Sequence, residues 1–191
     1  LNQKSFYLPC AADPLNVHRM IIPLNEREYT YDVSFVGSYE KDRQELFSKL
    51  LNFDFNLWGP VWSKKINKKL KPYYHNEFIK GREMVSIFNK TKINLNLQAP
   101  QGLQSMNLRT FELPATQSFQ LCDSKKELPS LFRIGKEIVV YDTSEELKDK
   151  IEYYLSNPSE RNKIVEAGYK RVLKEHKVID RMKEMLSNVK L

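Results

Sequence analysis

The residues best suited to chemistry sit in one stretch, Gly102-Leu-Gln-Ser-Met-Asn107-Leu-Arg109-Thr110-Phe-Glu112-Leu-Pro-Ala115. A glycine-bearing loop feeds a short helix expected over residues 108–115, with Asn107, Arg109, Thr110 and Glu112 in or near its first turn. A guanidinium and a hydroxyl beside the free N–H groups of a helix start suit a diphosphate, and a carboxylate can accept both hydroxyls of a ribose. The plainer role for Arg109 and Glu112 is an i,i+3 surface pair contributing only ~0.2–0.5 kcal/mol. Residue types alone leave these two readings level. A second candidate is Gly37-Ser38, with Lys41 and Arg43 just behind it. Glycine lets an anion approach the backbone closely, and the basic residues fall in the first turns of the next helix. A simple strand-to-helix turn is the competing explanation.

Several chemistries lack their residues. There is no G-x-x-x-x-G-K-[ST] phosphate loop, no G-x-G-x-x-G fingerprint and no G-x-S-x-G nucleophile elbow. His18, His75 and His176 are far apart and share no metal-ligand spacing with Cys10 or Cys122, so neither zinc nor a disulfide framework is expected. Trp58 and Trp62 read as core or interface residues.

Elements must hold the candidates in place. Val33, Phe35 and Val36 form a short apolar strand ending at Gly37, and Leu46, Phe47, Leu50 and Leu51 follow at helical spacing. Phe53, Phe55 and Leu57 alternate as a second strand that stops at Trp58-Gly59-Pro60. A helix is expected over roughly 77–90, and the clearest period-two strand is Ile93-Asn94-Leu95-Asn96-Leu97. Further strands are expected at 119–122 and 138–141. Thr143-x-x-Glu146 fits a capping box, Asn157-Pro158 opens another helix, and the chain closes on an amphipathic helix. Strands alternating with helices predict an α/β, Rossmann-like, doubly wound parallel sheet with helices on both faces. In such a sheet ligands bind beyond the carboxyl ends of the strands, where both candidate segments fall.

The chain has 191 residues, 41% of them hydrophobic and 12% aromatic, which excludes intrinsic disorder and leaves room for a real core. No apolar run reaches the roughly 20 residues of a membrane span. Residues 1–30, with Pro9, Pro14 and Pro23, read as an extended interdomain connector, and 31–191 as the domain. Unpaired cysteines point to a reduced, cytoplasmic protein. The chain starts at Leu1 without an initiator Met, so it is expected to come from something longer. Its net charge of +7 suits either a nucleic acid or a smaller anion such as a nucleotide diphosphate. Lys64, Lys65, Lys68, Lys69 and Lys71 crowd one stretch, expected to be a solvated helix. Its lack of interleaved aromatics argues against nucleic acid.

Tyr31-Asp-Val-Ser-Phe-Val-Gly37-Ser38, Trp58-Gly59, Asn89-Lys-Thr-Lys-Ile-Asn-Leu-Asn96, Asn107-Leu-Arg-Thr-Phe-Glu112 and Phe119-Gln-Leu-Cys-Asp123 resemble, in order, the CgeB-like (spore maturation protein) glycosyltransferase family. The tail from Tyr153 to His176 fits the same group. The resemblance covers about 30–185, and N-x-R-T-F-E is its most specific piece. It implies a bacterial GT-B enzyme of two Rossmann-like domains, this chain being the carboxyl-terminal, nucleotide-sugar-binding half. Glu112 is then similar to the ribose-binding glutamate of such donor sites. Asn107, Arg109, Thr110 and the Gly102 loop would face the diphosphate or sugar. Gly37 and Ser38, with Lys41 or Arg43, would form a phosphate-side loop, and Gly59 would lie near the donor. Transfer would need no metal or other cofactor, with basic side chains stabilising the departing diphosphate. Two departures stand out: Gln104 replaces a glutamate that many GT-B enzymes carry eight positions before the ribose glutamate, and Gln117-Ser118 stands where glycine is usual. Without an amino-terminal acceptor domain the fragment should be inactive alone. The alternative is a non-catalytic nucleotide-binding or scaffold module with the same fold.

Overall fold

The computed structural model describes residues 5–98 and 106–188. Five strands form one parallel sheet: β1 (Tyr31–Val36), β2 (Phe55–Trp58), β3 (Thr91–Asn96), β4 (Gln120–Asp123) and β5 (Val139–Tyr141), in the order β2-β1-β3-β4-β5. Between them run α1 (Lys41–Phe47), α2 (Trp62–Lys65), α3 (Gly81–Lys90), α4 (Arg109–Ala115) and α5 (Leu128–Leu131). After β5 come α6 (Ser144–Ser156), α7 (Pro158–Glu175) and α8 (Val178–Asn188). This is the doubly wound α/β architecture that the alternation predicts.

The two faces of the sheet differ in chemistry. Val33, Phe35, Phe55, Leu57, Ile93, Leu95 and Leu121 point to one side and pack with Phe47, Trp62, Leu147 and Ile151 into a continuous apolar core. The intervening residues face α3, α4 and α5, where Ser34, Asn94, Asn96 and Gln120 are all buried. Alternation in β3 therefore marks two buried faces, one apolar and one hydrogen-bonded. The Ser34 hydroxyl donates to Asn94 Oδ1 at 3.1 Å, Asn94 Nδ2 donates to the Phe88 carbonyl, and Asn96 Nδ2 donates to Gln120 Oε1 at 2.7 Å. Every one of these amides has a partner, as a dry interior requires.

Several expected boundaries shift for local reasons. The helix expected over 77–90 starts only at Gly81, whose φ of +53° breaks the helical path upstream. The lysine-rich stretch is solvated as expected, but α2 ends at Lys65. There Asn67 Oδ1 accepts from Leu70 N and turns the chain. At α6, Thr143 Oγ1 accepts from Glu146 N at 3.1 Å, while the Glu146 carboxylate accepts from Asp142 N instead of closing the box on Thr143. No helix among the described residues is long and apolar enough to cross a membrane.

Residues 5–30 carry one 3-10 turn, Leu24–Glu26, and lie along the α4 side of the domain as a strap. Four of its fastenings are these. Ala12 N donates to the His176 carbonyl, and the Ala12 carbonyl accepts from Val178 N. Asn89 Oδ1 accepts from Ile21 N and Ile22 N, both at 3.1 Å. The Arg27 guanidinium donates to the carbonyls of Thr116 and Gln117 at the end of α4. The fourth, through His18, enters the site below.

Replacing Thr143 by alanine removes the side-chain acceptor of Glu146 N at the start of α6. It should lower stability by about 1 kcal/mol, read as a shift of the urea midpoint with unchanged slope.

Candidate functional site

The strand order sets the place. The chain leaving β1 passes to β2 on one side, and the chain leaving β3 passes to β4 on the other. Connections parting in this way leave a crevice at the carboxyl ends of β1 and β3. A cleft of about 300 Å³ lies there. Its walls are Phe35 to Ser38 from the end of β1, Asn96 and Leu97 from β3, Asn107 to Arg109 and Glu112 from the α4 segment, Arg43 from α1 and Met84 from α3. Gly37, Ser38, Arg43, Asn107, Arg109 and Glu112, picked out from separate parts of the sequence, thus come together on one cavity.

Arg43 spans the switch point. Its guanidinium donates to the Ser38 carbonyl at 2.9 Å and the Leu97 carbonyl at 3.1 Å, and lies 5.3 Å from the Phe35 ring centre. It ties the two parting loops to each other and places a positive charge between them. Arg109 lies 4.8 Å from the Phe88 ring centre and donates to Glu112 Oε2 and, at 3.4 Å, to the Val36 carbonyl. Burial lowers the affinity of both guanidiniums for the proton, and nearby acidic groups, Glu112 beside Arg109 and Glu40 and Asp123 near Arg43, counter it.

Glu112 is the buried anion of the site, 6% exposed. Burial by itself raises its carboxyl, but the hydrogen bond from His18 and the charge of Arg109 outweigh it and hold the group below the ordinary carboxylate range. His18 Nε2 lies 2.9 Å from Glu112 Oε1, across 94 residues of sequence. The sequence alone does not reveal His18, because no local pattern links positions that far apart and the histidines show no metal-ligand spacing. Asn96, another wall residue it did not single out, had one available signal: a polar side chain at the last position of a strand.

The remaining candidates fall elsewhere. Lys41 points to solvent beside Glu45 and does not line the cleft. Thr110 is fully buried under it. Its Oγ1 donates to Asn107 Oδ1 and accepts from Asn96 Nδ2 and Gln98 Nε2. Asn107 Oδ1 also accepts from Thr110 N, and its Nδ2 donates to Asn96 Oδ1 and the Leu97 carbonyl. Asn107 therefore caps α4 and ties it to the end of β3. Gly59 supports the opposite wall: at φ +134°, a Cβ there would sit 2.1 Å from the Gly37 carbonyl oxygen. Gly102, and Gln104 with it, lie outside the described residues. Among the described residues no group of three or more histidine, cysteine or acidic side chains is arranged to hold a metal ion.

Over residues 41–187 the sequence matches the family described as Glycosyl transferase-like. The chain belongs to that family. It is 25% identical over 189 residues to spore protein CgeB of Bacillus subtilis (strain 168), a match covering 90% of this chain and 57% of that protein. The chain thus spans a little over half the length of that relative. Among solved structures, it resembles the C-terminal domain of a glycosyl transferase group 1 family protein, LpcC, from Francisella tularensis. The TM-score is 0.61 at 15% identity, over 81% of this chain and 90% of that one. S. aureus TarM, solved as a variant with Fondaparinux, alpha-GlcNAc-glycerol and UDP, gives a TM-score of 0.67 at 12% identity, over 87% of this chain and 36% of that one. Anabaena Alr3699/HepE, solved with UDP-glucose, gives 0.64 at 11% identity, over 84% and 50%. The fold of this family member is therefore Rossmann-like, as found in GT-B glycosyltransferases.

Two outcomes follow from the packing and charge of this site. Gly59→Ala should cost about 3 kcal/mol or more in urea unfolding, because strained backbone and a clash with the Gly37 carbonyl act together. The folded-state pKa of Glu112 lies below its unfolded value, so its stabilisation is complete above the unfolded pKa and is lost as pH falls through the folded one. Stability of the wild type minus that of Glu112→Gln should accordingly shrink as pH falls below about 5. A difference constant with pH would contradict an ionised, partnered Glu112.

Proposed function

We propose that this chain is the donor-binding half of a bacterial glycosyltransferase, holding a nucleotide diphosphate sugar in the cleft at the β1/β3 switch point. One observation carries the reading: a buried carboxylate and two guanidiniums from two separate helices, α4 and α1, meet on one cavity beyond the strand ends. Glu112 accepts the ribose hydroxyls. Arg43, Arg109 and the backbone at Gly37 and Ser38 face the diphosphate, where positive charge stabilises the leaving group as the sugar departs. Asn107 in the wall and Thr110 beneath it act by fixing the start of α4, since their polar atoms are engaged with Asn96, Leu97 and Gln98. The structures of TarM with UDP and Alr3699/HepE with UDP-glucose support a nucleotide-sugar ligand for this fold. An amino-terminal acceptor domain completes the site, and the present chain alone binds donor weakly and transfers nothing.

Titration of the chain with UDP, GDP, ADP and their sugars, followed by amide NMR, tests this directly. One nucleotide should perturb residues around Gly37, Arg109 and Glu112 at millimolar ligand, and silence from all of them would overturn the reading. Arg109→Ala should weaken binding by roughly 10- to 100-fold, the scale of a lost charge-assisted hydrogen bond. Gln104, uncharged where many GT-B enzymes carry a carboxylate, favours the second reading of a binding or scaffold module without turnover. Sugar transfer or donor hydrolysis by the full-length protein separates the two.

A further inference from the structure

We propose that His18, supplied by the strap outside the sheet, is a positioning residue that fixes Glu112 for recognition of a ribose diol. The inference rests on the donor-site reading above. His18 is 7% exposed and does not line the cleft, whereas Glu112 does. The imidazole therefore reaches the carboxylate from behind, away from any ligand.

Its ring is oriented by a closed turn. Asp13 Oδ1 accepts from Leu15 N and Asn16 N, and the Asp13 carbonyl accepts from His18 N at 2.7 Å. Asp13 N in turn lies 2.9 Å from His18 Nδ1. A backbone N–H can only donate, so Nδ1 is an acceptor and the ring proton resides on Nε2. That proton points at Glu112 Oε1, 2.9 Å away. A neutral imidazole thus donates to the carboxylate without adding a second positive charge.

The consequence lies in the lone pairs. A carboxylate offers about four acceptor sites, two on each oxygen. Arginine beside a carboxylate tends to form a bidentate fork that takes one site on each oxygen and sets the plane of the carboxylate. Here the fork is split: Arg109 Nη1 meets Oε2, its Nη2 turns to the Val36 carbonyl, and Oε1 belongs to His18. Among the described residues each oxygen has one hydrogen-bond donor, which leaves it a second acceptor site. Two acceptors held on one rigid carboxylate match the two O–H groups of a vicinal diol. Without His18 the carboxylate is free to rotate into the plane of an Arg109 fork, which turns its remaining acceptor sites out of register with the two diol hydroxyls.

The experiment compares UDP, GDP and ADP, each beside its 2′-deoxy counterpart, on the wild type, His18→Leu and His18→Gln, with melting curves to confirm folding. The wild type should prefer the ribonucleotide over the deoxy form by about 10-fold or more, since a site built for a hydroxyl rejects its absence. His18→Leu should bind the ribonucleotide no better than the deoxy form, with deoxy affinity within about 2-fold of wild type. His18→Gln, which restores an N–H donor, should recover part of the preference. A His18→Leu protein that keeps the preference, or loses both ligands equally, overturns the positioning role. A wild type that binds the nucleotides without a ribose preference overturns it too, while leaving the donor site standing. A wild type that binds no nucleotide overturns both. Should His18→Leu fail to fold, two-bond 1H–15N NMR of the His18 ring in the wild type decides the matter. A proton on Nε2 is expected, and one on Nδ1 would overturn the proposal.

Discussion

Two strands side by side, whose continuations leave in opposite directions, set the terms for everything else in this domain. Between β1 and β3 the sheet must stay hydrogen-bonded along its length and yet open beyond its edge. The opening exposes strand-end polar groups that have lost their ladder partners. Arg43 answers on one side by binding the Ser38 and Leu97 carbonyls together. On the other, Asn107 and Thr110 bind the α4 start to Asn96 and Gln98. Gly59 serves the same end by letting β2 finish against the Gly37 carbonyl. The rim of the crevice is held by side chains instead of by more sheet.

Against that rim the burial of Glu112 has to be justified energetically. An unpaired carboxylate in so dry a place is strongly unfavourable and would take up a proton instead. Arg109 alone would supply charge balance, but a fork with it would set a different plane for the carboxylate. Sharing the carboxylate between a cation and a neutral donor keeps it ionised and leaves acceptor capacity facing the cleft. A buried ion pair of this kind is weak evidence for stability in itself. It is better understood as a poised acceptor, held by the domain on one side and by the strap on the other.

How far the sequence alone reaches can be followed residue by residue. The alternation of strands and helices, the strand ends and the polar segment from Asn107 to Glu112 all follow from periodicity and turn chemistry, because those are local signals. The order β2-β1-β3 does not, since hydrophobic pattern is silent on which neighbours pair. His18 was beyond reach for the same reason: the turn from Asp13 to His18 is local, but its target lies 94 residues on. Gly59 was legible as a glycine at a strand end, while its use in backbone packing depends on φ +134°. Asn94 and Asn96 mislead in a useful way. Period-two polarity ordinarily marks a wet face, and here it marks a second buried face that carries hydrogen bonds in place of methyl groups.

The two residues standing where the resemblance leads one to expect glycine bear on the strap more than on the cleft. Gln117 adopts φ +53°, a left-handed conformation costing roughly 1–2 kcal/mol in a residue with a side chain. Its backbone still closes α4, with its N–H donating to the Pro114 carbonyl and its own carbonyl accepting from Arg27. Glycine would do both at less strain, so Gln117 alone brings no gain. Ser118 does. Its hydroxyl oxygen accepts from Asn89 Nδ2 at 3.1 Å and from the Thr116 hydroxyl, fixing the amide whose oxygen receives Ile21 N and Ile22 N. Glycine at 118 would leave Asn89 Nδ2 with the Thr116 carbonyl only. The departure therefore exchanges a relaxed turn for a stronger hold on the segment that delivers His18, and it leaves the walls of the cleft unchanged.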